Sequence, residues 1–400
     1  MTLAARITAL AQAFGADIKT VLPKTADLAY SFNPARYSLP SWLPCDGSLI
    51  LDANMPASLQ PYLARAYNAT YSLDSTIESA AAAPVGVADM TNDIALFRMA
   101  ASPFLIPMFK SAVGFSYTRD TLTSNPAAAI VAAAIGATTV PNLLAFTAAS
   151  GGAFYARRIS SNWSISNVST IFAGKAFVGV VYGADSRFYA LSTTAPFLFS
   201  IGNDVPSGTL QEEPGASASP VGLGISPNKK YMVAWYSAAP FVTLWEYDGT
   251  KYRSLGSPPF GAASFTRVEV SDTGVVVGKP SAGSIMYVCS LNGSGALGGM
   301  VQTTVDAATA WGITDDGRYV LTWVASVLKS FPIANDGIGT GTNISAYVAA
   351  SHGTLAGRFG IRQGRFLASS SVSGTGFGLA MNTTTAGWIA PRIRYGFMKA

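Results

Sequence analysis

Three stretches carry the fold: Gly224-Ile-Ser-Pro-Asn-Lys-Lys-Tyr-Met-Val-Ala-Trp235, Val268-Glu-Val-Ser-Asp-Thr-Gly-Val-Val-Val-Gly278 and Trp311-Gly-Ile-Thr-Asp-Asp-Gly-Arg-Tyr-Val-Leu-Thr-Trp323. Each reads as the end of one strand, a polar turn, and a second strand of β-branched and aromatic residues. The turns are rich in Asn, Asp and Gly, which accept the positive φ a tight hairpin needs. Ser226, Ser271 and Thr314 hold the same place in the three copies, 45 and 43 residues apart. Looser copies put Ala184 and Ile361 in register, at distances of 42 and 47 residues. Fainter ones sit at Thr91 and Ala149, where the gaps are an irregular 58 and 35.

These spacings predict a mainly β chain. A four-stranded propeller blade takes about 40–45 residues, and seven starts of that size fill residues 89–400. The expectation is therefore a closed β-propeller, most simply seven-bladed, whose closure removes exposed sheet edges. A β-sandwich or β-solenoid with coincidental spacing is the competing architecture. Upstream, residues 1–22 read as one helix ended by Pro23. Leu3, Ile7, Leu10, Phe14 and Ile18 recur at helical intervals and share one face. Arg6 and Gln12 interrupt the apolar run, so an amphipathic anchor is expected rather than a cleaved signal. Residues 23–88, rich in Pro, Asn, Ser and Tyr, read as an extended linker with a small folded patch around Trp42–Tyr62.

Charge is scarce. Only 12% of the 400 residues are Asp, Glu, Lys or Arg, the net charge is +5, and no basic run exceeds two residues. No dense basic stripe marks a nucleic-acid surface, so no nucleic acid is expected. The apolar run Ala127–Ala137 is too short to span a bilayer, and no membrane span is expected. Cys45 and Cys289 stand far apart and outside any CxxC pair, reading as two buried free thiols.

Catalytic signatures are few. The single histidine, His352, lies in a Ser-His-Gly turn, and no serine sits in a GxSxG elbow. HExxH, a Walker A loop and metal-spaced His/Cys clusters are all missing from the sequence. No catalytic residue, metal site or cofactor is expected. Paired carboxylates that could cleave glycans remain at Glu212-Glu213, Asp315-Asp316, and Glu246 with Asp248. Asp315-Asp316 falls in a repeat turn, where Asp serves the backbone, while Glu212-Glu213 reads as a solvated loop. The recurrent aromatics, among them Tyr231, Trp235, Tyr236, Trp245, Trp311 and Trp323, are expected to fill the wedges between blades.

Two N-terminal stretches resemble proteins of tailed bacteriophages. Thr2-Leu-Ala-Ala-Arg-Ile-Thr-Ala-Leu-Ala-Gln-Ala-Phe-Gly-Ala-Asp-Ile-Lys19 is similar to a leader found at the start of tail-fibre and other virion proteins. Ser41-Trp-Leu-Pro-Cys-Asp-Gly-Ser48, followed by Met55-Pro-Ala-Ser-Leu-Gln-Pro-Tyr-Leu63, resembles the tail-collar motif through Trp42, Cys45, Asp46 and Gly47. Ser41 stands where the motif has glycine, and Met55-Pro56 where it has Tyr-Pro. Together the two stretches cover about 40 of the 400 residues.

The resemblance implies a non-enzymatic structural component of a virion, a tail, fibre or decoration protein. Its N-terminus would attach to other virion proteins, and its propeller would project, for host adsorption onto a surface glycan or protein. A homo-oligomer in the particle is expected. The attachment residues would be the five apolar side chains of the leader. Burying each is worth about 1.5–3 kcal/mol, so the stripe calls for a partner. The alternative is a propeller enzyme that cleaves host surface polysaccharide. A clustered, buried carboxylate pair in the central channel would favour that alternative.

Overall fold

The computed structural model describes residues 28–30, 42–46, 49–68, 72–76 and, with short gaps, 84–399. The leader residues Leu3, Ile7, Leu10, Phe14 and Ile18, together with Gly47 and His352, lie outside the described residues. The chain divides into two compact units. One combines the described residues up to Ala64 with those from Gly387 onward, and the other runs from Arg65 to Ala386.

The larger unit is a succession of antiparallel meanders. Meander A comprises Pro84–Met90, Ile94–Met99, Leu105–Lys110 and Tyr117–Arg119. Meander B comprises Ile130–Gly136, Asn142–Thr147, Ala153–Ile159 and Asn162–Asn167, with the two-residue strand Thr121–Leu122 parallel to its outer edge. Meander C follows with Phe177–Tyr182, Arg187–Ser192, Leu198–Gly202 and Leu210–Glu213. Meander D is Pro220–Ile225, Tyr231–Tyr236, Val242–Tyr247 and Tyr252–Gly256. Meander E is Phe265–Val270, Val275–Pro280, Ile285–Leu291 and Leu297–Thr304. Meander F is Ala310–Ile313, Tyr319–Val324 and Val327–Ala334, with the short strands Gly337–Ile338 and Thr342–Asn343 on its edge. Meander G is Leu355–Arg362, Arg365–Ser370 and Gly378–Asn382, and its fourth strand is Ser72–Thr76 from far upstream.

The first strands of successive meanders lie side by side, and that of G lies beside that of A. The core follows from this layout. Each apolar cluster is shared by two neighbouring meanders instead of filling one common centre. Phe146 and Tyr155 of B pack with Phe177 and Phe188 of C, and Trp323 of F packs with Phe359 and Phe366 of G. Leu367 of G joins the Met90, Phe97 and Met108 cluster of A. Tyr231–Tyr236 is buried at every position, as a strand covered on both faces must be. Tyr231, Trp235, Tyr236, Trp245, Trp311 and Trp323 all lie in these clusters.

The first-to-second turns repeat one hydrogen-bond scheme. The Ser226, Ser271 and Thr314 hydroxyls accept the N–H of Tyr231, Val275 and Tyr319 at 2.9, 3.0 and 3.1 Å. The same three residues are almost wholly buried. Gly274 and Gly317 take the positive φ of the turn, and in meander D that conformation falls on Lys229 (φ 65°) instead of Asn228. Thr91 plays the same part in meander A, its hydroxyl accepting the Ile94 N–H at 3.0 Å.

Three sequence expectations are corrected. Ala149 lies outside the described residues, and in the sequence it comes between the second and third strands of meander B, not after the first. The equivalent turn of B follows Gly136, and the last residues of the first strands then lie 43–49 residues apart throughout. The false register arose because Gly151-Gly-Ala-Phe-Tyr155 imitates the turn-then-aromatic pattern at a second-to-third hairpin. Next, residues 23–88 are not wholly linker. Ser72–Thr76 and Pro84–Met90 are strands of the meanders. Finally, the β domain does not reach residue 400, because Arg392–Lys399 pairs between Leu28–Tyr30 and Trp42–Asp46 in the smaller unit. Strand pairing is non-local, and no local pattern announces such partners.

The smaller unit places the collar-like residues Trp42, Cys45 and Asp46 in the strand Trp42–Asp46. Leu49–Ile50 pairs with Trp388 and Ile389, and the segment from Met55 to Leu63 forms a 3₁₀ turn, Ala57–Tyr62, that buries Leu59 completely. The Trp388 indole donates to Asp52 at 2.9 Å.

Candidate functional site

Two recesses in the larger unit hold its unusual charges. The first is a cavity of about 570 Å³ lined by first-strand residues from every meander, A to G. Small residues such as Gly86, Ala132, Gly179, Gly222 and Gly357 line it and let neighbouring strands approach. A Cβ on Gly357 (φ +69°) would sit 1.9 Å from the Val85 carbonyl oxygen. Four cations reach this cavity: Arg98, Arg267, Lys279 and Arg358. Arg98 stands opposite Gly86 and Lys279 opposite Arg267 in their sheet ladders. Against them the described lining residues offer one carboxylate, Glu269, 8% exposed.

Glu269 holds the centre of a buried network. Its Oε1 faces Arg267 Nε at 3.3 Å and Arg358 Nε at 3.2 Å, and its Oε2 accepts the Ile313 N–H at 3.0 Å. The guanidiniums also tie strands together. Arg98 donates to the Val131 carbonyl at 2.6 Å and Arg358 to the Ala88 carbonyl at 3.0 Å. Arg267 donates to the Trp311 carbonyl and lies over the Trp311 ring, 4.1 Å from its centroid. Burial holds Arg267 down at about 10, despite Glu269, and Arg358 adds to the depression. Lys279 is lowered by burial and then by Arg267, and Arg98 by burial.

The second recess, about 650 Å³, lies among the first-to-second turns and is lined by Asp93, Lys229, Asp272, Asp315, Arg362 and others. Here the carboxylates bind neighbouring turns. Asp272 Oδ1 accepts the Asn228 N–H at 2.6 Å, and Asp315 Oδ2 accepts the Gln363 N–H at 2.5 Å. Asp316 joins its own turn through Thr314 and Arg318, and its Oδ2 accepts the Tyr67 N–H at 3.0 Å. Burial and the nearby Asp315 push Asp272 up to about 8. Burial raises Asp315 to about 6, against the pull of Arg362.

The sequence singled out Asp315-Asp316 and gave it a backbone duty, which these bonds display, but it missed Asp272 beside Asp315. Its cue was present: Ser271-Asp272 aligns with Thr314-Asp315 in the repeat. Glu212-Glu213 lies in the strand Leu210–Glu213, not in a loop, and Glu213 accepts the Ser200 hydroxyl at 2.6 Å. Glu246 pairs with Lys230 at 3.0 Å, and Asp248 organises its own turn with Thr250 and Lys251. Nothing in the sequence marked the Arg-rich cavity, since Arg98, Arg267 and Arg358 are scattered over 260 residues. Cys289 is buried with a free thiol, raised by burial to about 11.

No family model and no curated protein matches the sequence. Solved structures match by shape. The β-propeller domain of Cps50 (Swd1) from Myceliophteria thermophila superimposes with a TM-score of 0.53 at 8% identity, covering 78% of this chain and 100% of that one. The fold is a β-propeller. A streptogramin B lyase gives a TM-score of 0.52 at 11% identity over 79% of this chain and 98% of that one. A catalytically inactive virginiamycin B lyase from Staphylococcus aureus, solved with quinupristin, gives 0.53 at 9% over 78% and 99%. At these identities the likeness is one of fold alone, so the propeller's chemistry has to be read from its own residues. Among the described residues no group of His, Cys, Asp and Glu is arranged to hold a metal ion.

Proposed function

We propose that this chain is a non-enzymatic structural component of a tailed-bacteriophage particle, a tail, fibre or decoration protein. Its terminal unit attaches to other virion proteins, and its propeller is displayed for host adsorption. The observation that carries the reading is the sheet in which Arg392–Lys399 lies between Leu28–Tyr30 and Trp42–Asp46. That sheet contains the collar-like strand Trp42–Asp46 and joins it to residues far along the chain. The resemblance of Thr2–Lys19 to virion leaders supports the same assignment, with Leu3, Ile7, Leu10, Phe14 and Ile18 as the attachment face.

The propeller in this reading is seven-bladed. Support comes from meanders A to G, whose first strands neighbour one another in order and return from Leu355–Arg362 to Pro84–Met90. Ser72–Thr76, upstream of blade A, completes blade G, so closure joins early and late segments of the chain and leaves fewer free edges.

Mass spectrometry of purified particles tests the assignment. The full chain is expected in the virion at a fixed ratio to the major capsid protein, and a chain lacking residues 1–22 is expected to fold but be absent from particles. Normal incorporation of the truncated chain would remove the leader from the attachment role. Absence of the full chain from particles would end the virion reading.

A second reading rests on the neighbouring Asp272 and Asp315, two carboxyl groups raised in a recess of about 650 Å³. A glycan-cleaving enzyme needs such a pair. Each carboxylate, however, is already bound by the backbone of an adjacent turn, which is a sheet-joining duty. Cleavage of host surface polysaccharide by the purified chain, lost on Asp272→Asn and Asp315→Asn, would establish the enzyme and displace the first reading.

A further inference from the structure

The cavity ringed by the first strands has a charge imbalance that its own residues do not resolve. Arg98, Arg267, Lys279 and Arg358 reach it, and among the described residues Glu269 is the one acidic side chain in its lining. Glu269 is spent on Arg267 and Arg358. Arg98 and Lys279 have no carboxylate among their described partners. Arg98 donates to a backbone carbonyl, and the Lys279 ammonium reaches only the Pro280 carbonyl, at 3.5 Å. Cations crowded in a half-buried recess repel one another, and burial without a counter-charge is costly.

The volume, about 570 Å³, lies within the range of small-molecule sites.

The geometry points to an oxyanion-binding site in this cavity, formed by Arg98, Arg267, Lys279 and Arg358. It takes a compact ligand bearing a phosphate, sulfate or carboxylate group. The inference stands apart from the virion assignment, since it needs only the propeller. Guanidinium and ammonium groups bind oxyanions through charge-assisted bonds. Glu269 fixes two of the guanidiniums in place, and Lys279, the least committed cation, makes the contact most specific to the ligand.

Calorimetric titration of the full chain tests this with inorganic phosphate, sulfate and glucuronate, at ionic strength matched with chloride. Saturable binding of at least one probe is expected, weakened about tenfold or more in Lys279→Met, the loss of one charge-assisted bond. Thr266→Glu, which adds a carboxylate at an exposed lining position, is a second variant expected to weaken binding at least as much. It decides the matter should Lys279→Met fail to fold. Binding of phosphate and sulfate alone identifies a tetrahedral oxyanion, and binding of glucuronate a carboxylate such as an acidic sugar carries. Either supports the site. No saturable binding of any probe, or variants that titrate like the parent chain, overturns it.

Discussion

The cavity lining and the turn end join neighbouring blades by the same device with opposite charge. In the cavity, guanidiniums donate to backbone carbonyls of the next strand: Arg98 to Val131, Arg267 to Trp311, Arg358 to Ala88. At the turns, carboxylates accept backbone N–H groups: Asp272 from Asn228 and Asp315 from Gln363. Both satisfy backbone groups at sheet margins that would otherwise be left open. The difference is in how each charge responds to burial. A guanidinium stays protonated at any physiological pH even when depressed. A buried carboxylate takes up a proton instead. The cavity is therefore a fixed positive field, and the turn end is the part of the propeller that pH can alter.

The largest effect is expected from Glu269→Leu. It strands the largely buried Arg267, removes the carboxylate facing the partly exposed Arg358, and leaves the Ile313 N–H without its acceptor. Breaking such a pair costs about 3–5 kcal/mol, and at about 2–4 °C per kcal/mol for a domain of this size the melting temperature should fall on the order of 10 °C. An unchanged melting point would show that the cavity network contributes nothing to blade joining.

Ser271→Ala comes next. It removes the hydroxyl that accepts the Val275 N–H in a fully buried turn, at a cost of about 1–3 kcal/mol. Thr314→Val should cost a similar amount by the same route. Denaturant titration of both variants checks whether the turn scheme is equally important in blades E and F.

The pH dependence then separates the two regions. Asp272 and Asp315 hold protons in the folded state up to about pH 8 and about pH 6, while an unfolded Asp releases its proton near pH 4. Between those values the folded state binds more protons than the unfolded one, so stability falls as pH rises. Thermal melts should show a lower melting temperature at pH 8 than at pH 5, and Asp272→Asn, which keeps the acceptor and removes the titration, should flatten the slope. A parent chain that grows more stable over this range would contradict the assignment.

The smallest effect is expected from Lys230→Met. Its half-exposed pairing with Glu246 serves neither region, and loss of a pair so placed should cost less than about 1 kcal/mol. A larger loss by denaturant titration would mean that outer-strand charges matter as much as those at the blade joints.

Several features were legible in the residues alone. The Ser226, Ser271 and Thr314 register was readable because a buried turn needs a hydroxyl acceptor and a positive-φ residue at fixed offsets, which is a local demand. The same locality explains the error at Ala149, where a second-to-third hairpin satisfies a similar pattern. The buried aromatics were readable as wedge fillers because a strand covered on both faces must be apolar throughout.

The turn chemistry was legible in the sequence because it depends on residues within about a dozen positions of one another, and the recurrence of that local turn every 42–47 residues pointed to a β-propeller. Only the tertiary structure decided that Ser72–Thr76 completes the sheet of Gly378–Asn382 and that Arg392–Lys399 leaves the propeller for the N-terminal strands. It alone brought Arg98, Arg267, Lys279 and Arg358 to one cavity, and Asp272 to Asp315. The physical reason is that ladder hydrogen bonds and long-range charge pairs are indifferent to sequence separation. Any strand can pair with any other of suitable length, and a scattered arginine gains its meaning only from the backbone carbonyl and the carboxylate that the closed ring sets beside it.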